Sequence, residues 1–151
     1  MAQHEHARSF RELIVYRRAR EAANDIYRLT TTFPKEERYS LTDQVRRSSR
    51  AVGAQIAEAW GKRRYPNHFV SKLTDADAEQ LETQHWLDVA SDCGLLGEDQ
   101  HRLLVATLAE VGRMLNSMIA KADQFCGQPL ETREAAELYG EDPPPPTQPP
   151  K

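Results

Sequence analysis

Apolar residues recur at alternating gaps of four and three in successive stretches of this chain, and that rhythm admits few folds beyond packed helices. In the first stretch the stripe is Val15, Ala19, Ala22, Ile26, Leu29 and Phe33, with Arg17, Arg20, Glu21 and Arg28 on the opposite face. It predicts a helix from about Phe10 to Thr32, stopped by Pro34. The second helix is expected to start near Leu41 behind Ser40 as N-cap, with the stripe Leu41, Val45, Ser48/Ser49, Val52, Ile56 and Ala59. Tyr65-Pro66-Asn67 opens a third, whose stripe runs Phe69, Leu73, Ala76, Gln80, Thr83, Leu87, Ala90 to about Asp92, with Gly94 as its terminator. The fourth, from about Glu98 to Phe125, has the cleanest stripe: Leu104, Leu108, Val111, Leu115, Met118, Ala122 and Phe125. Cys126-Gly127 closes it, and residues 131–139 could add a turn or two of helix.

The connections are short, which makes neighbouring helices antiparallel. The expected fold is therefore all-α: a left-handed antiparallel up-down-up-down four-helix bundle over residues 10–127. A flexible N-terminus (1–9) would precede it, and an acidic, proline-rich flexible tail (128–151) would follow. The tail ends in GEDPPPPTQPPK, which cannot form a helix and could dock an aromatic-lined groove. No uninterrupted apolar run approaches eighteen residues, so no membrane span is expected. The N-terminal residues lack the layout of a signal peptide, which points to the cytoplasm. The two cysteines, Cys93 and Cys126, form no CxxC, and reduced thiols are expected, with a disulfide between them left open.

Charge is unevenly placed. Residues 1–64 carry 14 Lys/Arg against 8 Asp/Glu, whereas the remainder carries 6 against 15. The sharpest cluster is Arg46, Arg47 and Arg50, spaced to share one side of the second helix, with Lys62, Arg63 and Arg64 further on. These residues could grip nucleic-acid phosphates. Alternatively they could form an intersubunit salt-bridge network with Asp43, Glu36, Glu37 and Glu58. The second reading is preferred, because no aromatics interleave with the arginines and the net charge is −3. The other face of the same helix is small: Gly53, Ala54, Ala57 and Gly61. An interior glycine costs about 1 kcal/mol relative to alanine, and close approach of another helix would offset it. With Trp60 and Trp86, these residues are the candidate subunit interface.

Glu82-x-x-His85 and Glu98-x-x-His101, with Glu58 and either Glu21 or Glu12, would nominally satisfy a ferritin-like di-metal recipe. Two features oppose it. His101 lies in the first turn of its helix, and Glu82 and His85 sit off the seam. No metal or cofactor is expected, and solvated helix faces account for both pairs. His4 and His6 are too few for a metal tract. Ser48 and Ser49 lack a His/Asp arrangement and read as packing residues. Gln80 and Thr83 read either as buried polar groups that set register or as wet residues at the seam edge.

The segments FRELIVYRRA, FPKEERYSLTDQVRRSSRAVGAQIAEAWGKRR and HFVSKLTDADAEQLETQHWLDVASDCGLL resemble the bacterial four-helix bundle proteins also called 23S rRNA intervening-sequence proteins. The resemblance covers roughly residues 10–126. It implies a left-handed antiparallel bundle assembling into a homopentamer. A related branch, the accessory variability protein of diversity-generating retroelements, is a basic pentamer that binds reverse transcriptase and nucleic acid. This chain departs at Gln55–Ala59, where many members read NIAEG, and in its third helix, which suggests one subgroup of the family. The expected function is a non-catalytic homo-oligomeric scaffold, a pentamer by resemblance. Its expected partners are itself and RNA, DNA or a nucleic-acid-associated protein met through the basic half. A di-metal carboxylate enzyme is the alternative.

Overall fold

A computed structural model describes residues 7–127 and 132–141. The fold is all-helical, with no strand among the described residues. Six α-helices occur there: α1 (Ile14–Thr30), α2 (Asp43–Gly61), α3 (Pro66–Asp92), α4 (Glu98–Ala120), α5 (Ala122–Phe125) and α6 (Thr132–Tyr139). Each of the first four packs on its neighbour in the chain, most extensively α2 on α3, and α4 also packs on α1. Cross-helix pairs run in opposite senses along adjacent helices. Ser48 meets Thr83 while Glu58 meets Lys72, and Gly112 lies at Gln80 while His101 meets Asp88.

The periodicity placed the core well. All seven stripe positions of α3, from Phe69 to Ala90, are buried, as are Leu41, Val45, Ser48, Ser49, Val52, Ile56 and Ala59. In α4, Leu104, Leu108, Val111, Leu115 and Met118 are buried. The core divides into two apolar clusters. One holds Val15, Val52, Ile56, Trp60, Phe69, Leu73 and Leu115; the other holds Ile26, Leu41, Val45, Leu87, Leu104 and Leu108. Between them lies a polar layer of Ser48, Gln80 and Thr83, each 3 % exposed or less. The Ser48 and Thr83 hydroxyls are 2.9 Å apart, and the Gln80 amide donates to Asp77 Oδ1 at 2.9 Å and accepts from Gln84 at 2.7 Å. A buried hydrogen-bonding layer of this kind penalises any register that leaves its groups unpaired. The wet, seam-edge reading of Gln80 and Thr83 is thereby corrected.

Helix ends differ from expectation in three places. Phe10–Glu12 is a separate 3-10 turn, because Ser9 accepts a bond from the Arg11 amide and Leu13 turns extended to bury its side chain. Ser40 is not an N-cap. Winding begins at Lys35–Glu37 and passes through a π turn at Arg38–Thr42 into α2, so the Ser40 hydroxyl donates to Glu37 instead. Lys121 breaks the fourth helix, leaving α5 as a separate turn. Gly94 terminates α3 as expected, with φ +72° and the Leu95 amide donating to Ala90 O at 2.9 Å.

Some of the presumed ends are folded. Ala7 packs on the core, the Arg8 amide donates to Glu12, and Leu138 of α6 lies against the same core cluster. The expected flexibility of residues 1–6, 128–131 and 142–151, with His4, His6 and the proline run, lies outside the described residues. By length and mean hydropathy (1.3 over eighteen residues), α4 is apolar enough to cross a membrane, although no apolar run announced it. Glu110 and Arg113 interrupt the run without much lowering the mean. A third of that window (33 %) is buried within the protein.

Candidate nucleic-acid interface

Three seams carry polar contacts between opposite partners. Arg18 of α1 meets Glu110 of α4 at 2.6 Å. Lys72 of α3 meets Glu58 of α2 at 2.9 Å, and Arg47 meets Glu82 at 3.6 Å. Asp88 of α3 meets His101 of α4 at 2.7 Å. The α1/α2 seam has none among the described residues. There Arg20, Arg46 and Arg50 have no carboxylate within ion-pair distance, again among the described residues.

Tyrosines stand where the carboxylates would be. The Arg46 and Arg50 guanidinium carbons lie 4.8 Å and 5.4 Å from the centre of the Tyr27 ring, and Arg20 lies 5.9 Å from that of Tyr16. Tyr27 is 46 % exposed. Arg46 is also a strut, its Nε donating to the buried Thr30 hydroxyl at 2.7 Å. Beside them an open groove of about 410 Å³ runs between α1 and α2, floored by Ala19, Ala23, Gly53, Ala54 and Ala57. The expectation that no aromatic interleaves with the arginines is therefore corrected. It is true along α2, but α1 supplies the ring.

The six basic candidates separate. Arg47 is drawn toward α3 by Glu82, and none of Asp43, Glu36, Glu37 and Glu58 pairs with the arginine cluster; Glu58 holds Lys72 instead. Lys62 and Arg64 are exposed beyond the end of α2. That is about 18 Å along the axis from Arg50 at 1.5 Å per residue, so they form no single patch with it. Arg63 is structural. Its guanidinium lies 3.6 Å from the Trp60 ring centre, its Nε donates to Trp60 O, and it bridges to Glu134 of α6 at 3.2 Å with only 15 % of its side chain exposed. Its assignment to a binding surface is corrected, since α6 covers it.

The small-face candidates also divide. Trp60 is 2 % exposed in the core and has no surface to offer a second subunit. Gly53 lies under Tyr16, whose Cε2 would sit 3.5 Å from an added Cβ. Ala54 and Gly61 are exposed and Ala57 half-buried. The half-buried Trp86 packs against the second core cluster with His85 edge-on at 4.8 Å, and its indole nitrogen is shielded from solvent with no hydrogen-bond partner among the described residues. Leu81 and Leu103 are 55 % and 69 % exposed.

The di-metal constellation does not assemble. Glu82 faces Arg47, His101 faces Asp88, and among the described residues no group of three or more His, Cys, Asp or Glu could hold an ion. Cys93 and Cys126 are both free thiols; burial pushes the Cys126 thiol pKa up.

The sequence matches the family described as 23S rRNA-intervening sequence protein over residues 11–117, a range ending inside α4. No curated protein matches the chain significantly. Among solved structures, a protein of unknown function from the S23 ribosomal protein family of Bacteroides thetaiotaomicron VPI-5482 is 26 % identical. The match covers 71 % of this chain and 96 % of that one, with a TM-score of 0.65.

Proposed function

The chain belongs to the 23S rRNA-intervening sequence protein family, and from that premise we propose that it is a non-catalytic, self-assembling helical scaffold that binds nucleic acid through the α1/α2 face. The observation that carries this reading is Tyr27, exposed and flanked by Arg46 and Arg50 on the one seam without a carboxylate partner among the described residues. Cations that no protein acid neutralises attract phosphates, and an exposed ring among them offers a base a surface to stack on.

The scaffold is a left-handed antiparallel up-down-up-down four-helix bundle acting in the cytoplasm. Opposed cross-helix pairs and short connections support the topology. Its copies assemble as a homopentamer, as the family resemblance implies. The exposed Leu81, Leu103 and Gly61 supply surface for subunit contacts. A nucleic-acid-associated protein would meet the same basic face.

Titration of a labelled structured RNA and a duplex DNA at low and near-physiological salt tests the proposal. Measurable binding that weakens steeply with salt is expected, and Arg46→Ala/Arg50→Ala should reduce the slope of log affinity against log salt by about 2. Absence of binding even at low salt would sink the nucleic-acid reading. Light scattering reads the assembly, and a monomer mass would sink that part.

A further inference from the structure

The α1/α2 groove has the shape and chemistry of a seat for one nucleotide unit. Its volume of about 410 Å³ lies in the usual range for small-ligand clefts. Its floor is made of alanines and Gly53, which gives a low apolar surface that a flat ring can lie on. Phe10, Tyr16, Arg20, Asn24 and Arg50 also line it, with the Arg20 guanidinium carbon 5.9 Å from the Tyr16 ring centre. Among the described residues, no acidic one lines it. Asn24 is exposed and offers both a donor and an acceptor, whereas the Ser49 hydroxyl is already engaged with Arg46 O at 3.0 Å.

The space is spare as far as the fold is concerned. A Cβ on Gly53 would make only ordinary contact with Tyr16, so no close helix approach demands glycine there. A ligand suited to this groove is flat and apolar on one part and anionic on another, because the two guanidiniums at its rim have no carboxylate partner among the described residues. An amphipathic partner helix would leave those cations unanswered unless it carried acids at matching positions. A base with its own phosphate answers both needs.

We infer that the groove seats one nucleotide of a single strand, the base on the Ala/Gly floor and its phosphate between Arg20 and Arg50. The inference rests on the nucleic-acid reading above and narrows it. A duplex keeps its bases stacked inside and could reach only the arginines.

The full-length protein should be titrated with a fluorescently labelled oligo-uridine RNA and with an RNA duplex of equal length, with uridine monophosphate as competitor. Ala54→Leu fills the floor while leaving every arginine in place, and because Ala54 is exposed the fold should tolerate it. Arg20→Ala removes one rim cation without touching the floor. The single strand should bind about ten-fold more tightly than the duplex, and Ala54→Leu should abolish that advantage while leaving duplex affinity unchanged. Arg20→Ala should weaken the single strand more than the duplex. Equal affinities that ignore Ala54→Leu would overturn the nucleotide seat and leave the arginine face standing; no binding of either probe would overturn both readings. A fall in assembly mass on Ala54→Leu would make the groove a subunit contact and overturn the seat. Competition by millimolar uridine monophosphate supports a seat open to free nucleotides. Groove-dependent strand binding that the monophosphate leaves untouched supports one that needs the continuous strand.

Discussion

Two interior glycines, Gly53 in α2 and Gly112 in α4, sit in opposite kinds of surroundings. A Cβ at Gly112 would lie 2.6 Å from Gln80 Nε2 and 3.1 Å from Asp77 Oδ1. That is closer than packed atoms tolerate, so α3 and α4 approach there because glycine permits it. Both obstructing groups are committed: Gln80 is 3 % exposed and hydrogen-bonded to Asp77 and Gln84, and Asp77 accepts from Asn116 at 3.2 Å. At Gly53 the nearest atom would be 3.5 Å away, an ordinary contact, and beyond it lies an open groove. The α3/α4 seam is closed and its Gln80 and Asp77 side chains are hydrogen-bonded, whereas the α1/α2 face is open and its arginines have no ion-pair partner among the described residues. The helix-propensity cost of glycine is therefore offset by packing at Gly112 and, among the described residues, by no close approach at Gly53.

The largest expected effect breaks the closed side. Gly112→Leu should destabilise the protein by about 2–3 kcal/mol in urea unfolding, because the added side chain must displace Gln80 from the buried layer. A change under about 0.5 kcal/mol would mean that the seam opens without loss and that the contrast between the two glycines is false. The smaller, opposite effect belongs to the open side. Gly53→Ala should stabilise by about 0.5–1 kcal/mol, through better helix propensity and a less free unfolded chain. Destabilisation there would show a close approach that the groove geometry does not contain.

Gly112 went unremarked in the sequence, although it lies beside Val111 in the cleanest stripe of the chain. The stripe itself was legible because a four-three rhythm is a local property of one helix, and the seven α3 positions were read correctly for the same reason. What one helix presents to another is not local. Gln80 pairs with a glycine far along the chain, and Tyr27 reaches Arg46 and Arg50 only after the turn around Pro34 brings α1 back along α2. Arg63 looked like the arginines around it, and only α6 and Trp60 set it apart. Ser40 had the right chemistry for a cap but lies within winding that had already begun at Lys35.

The α2/α3 seam holds a part-buried acid, and its cost should be visible in pH. The Glu79 carboxyl, on the α2-facing side of α3, has a pKa raised first by burial and then by the neighbouring Glu82 charge, with Arg47 opposing. A carboxyl raised in the folded state holds its proton more tightly folded than unfolded. Its favourable contribution is thus fully present below the unfolded pKa of about 4.3 and is lost as pH rises through the folded value. Above that window the ionised Glu79 opposes folding. Glu79→Gln, which removes the ionisation, should raise Tm at pH 7 by about 1 °C, a small effect because the residue is only part-buried and Arg47 opposes the shift. The gain should shrink toward zero as pH falls below about 4. A variant that loses stability at pH 7 would show instead that the Arg47 attraction outweighs burial. The charges across α2 and α3 would then be fully compensated, and the two sides of α2 would differ more sharply still.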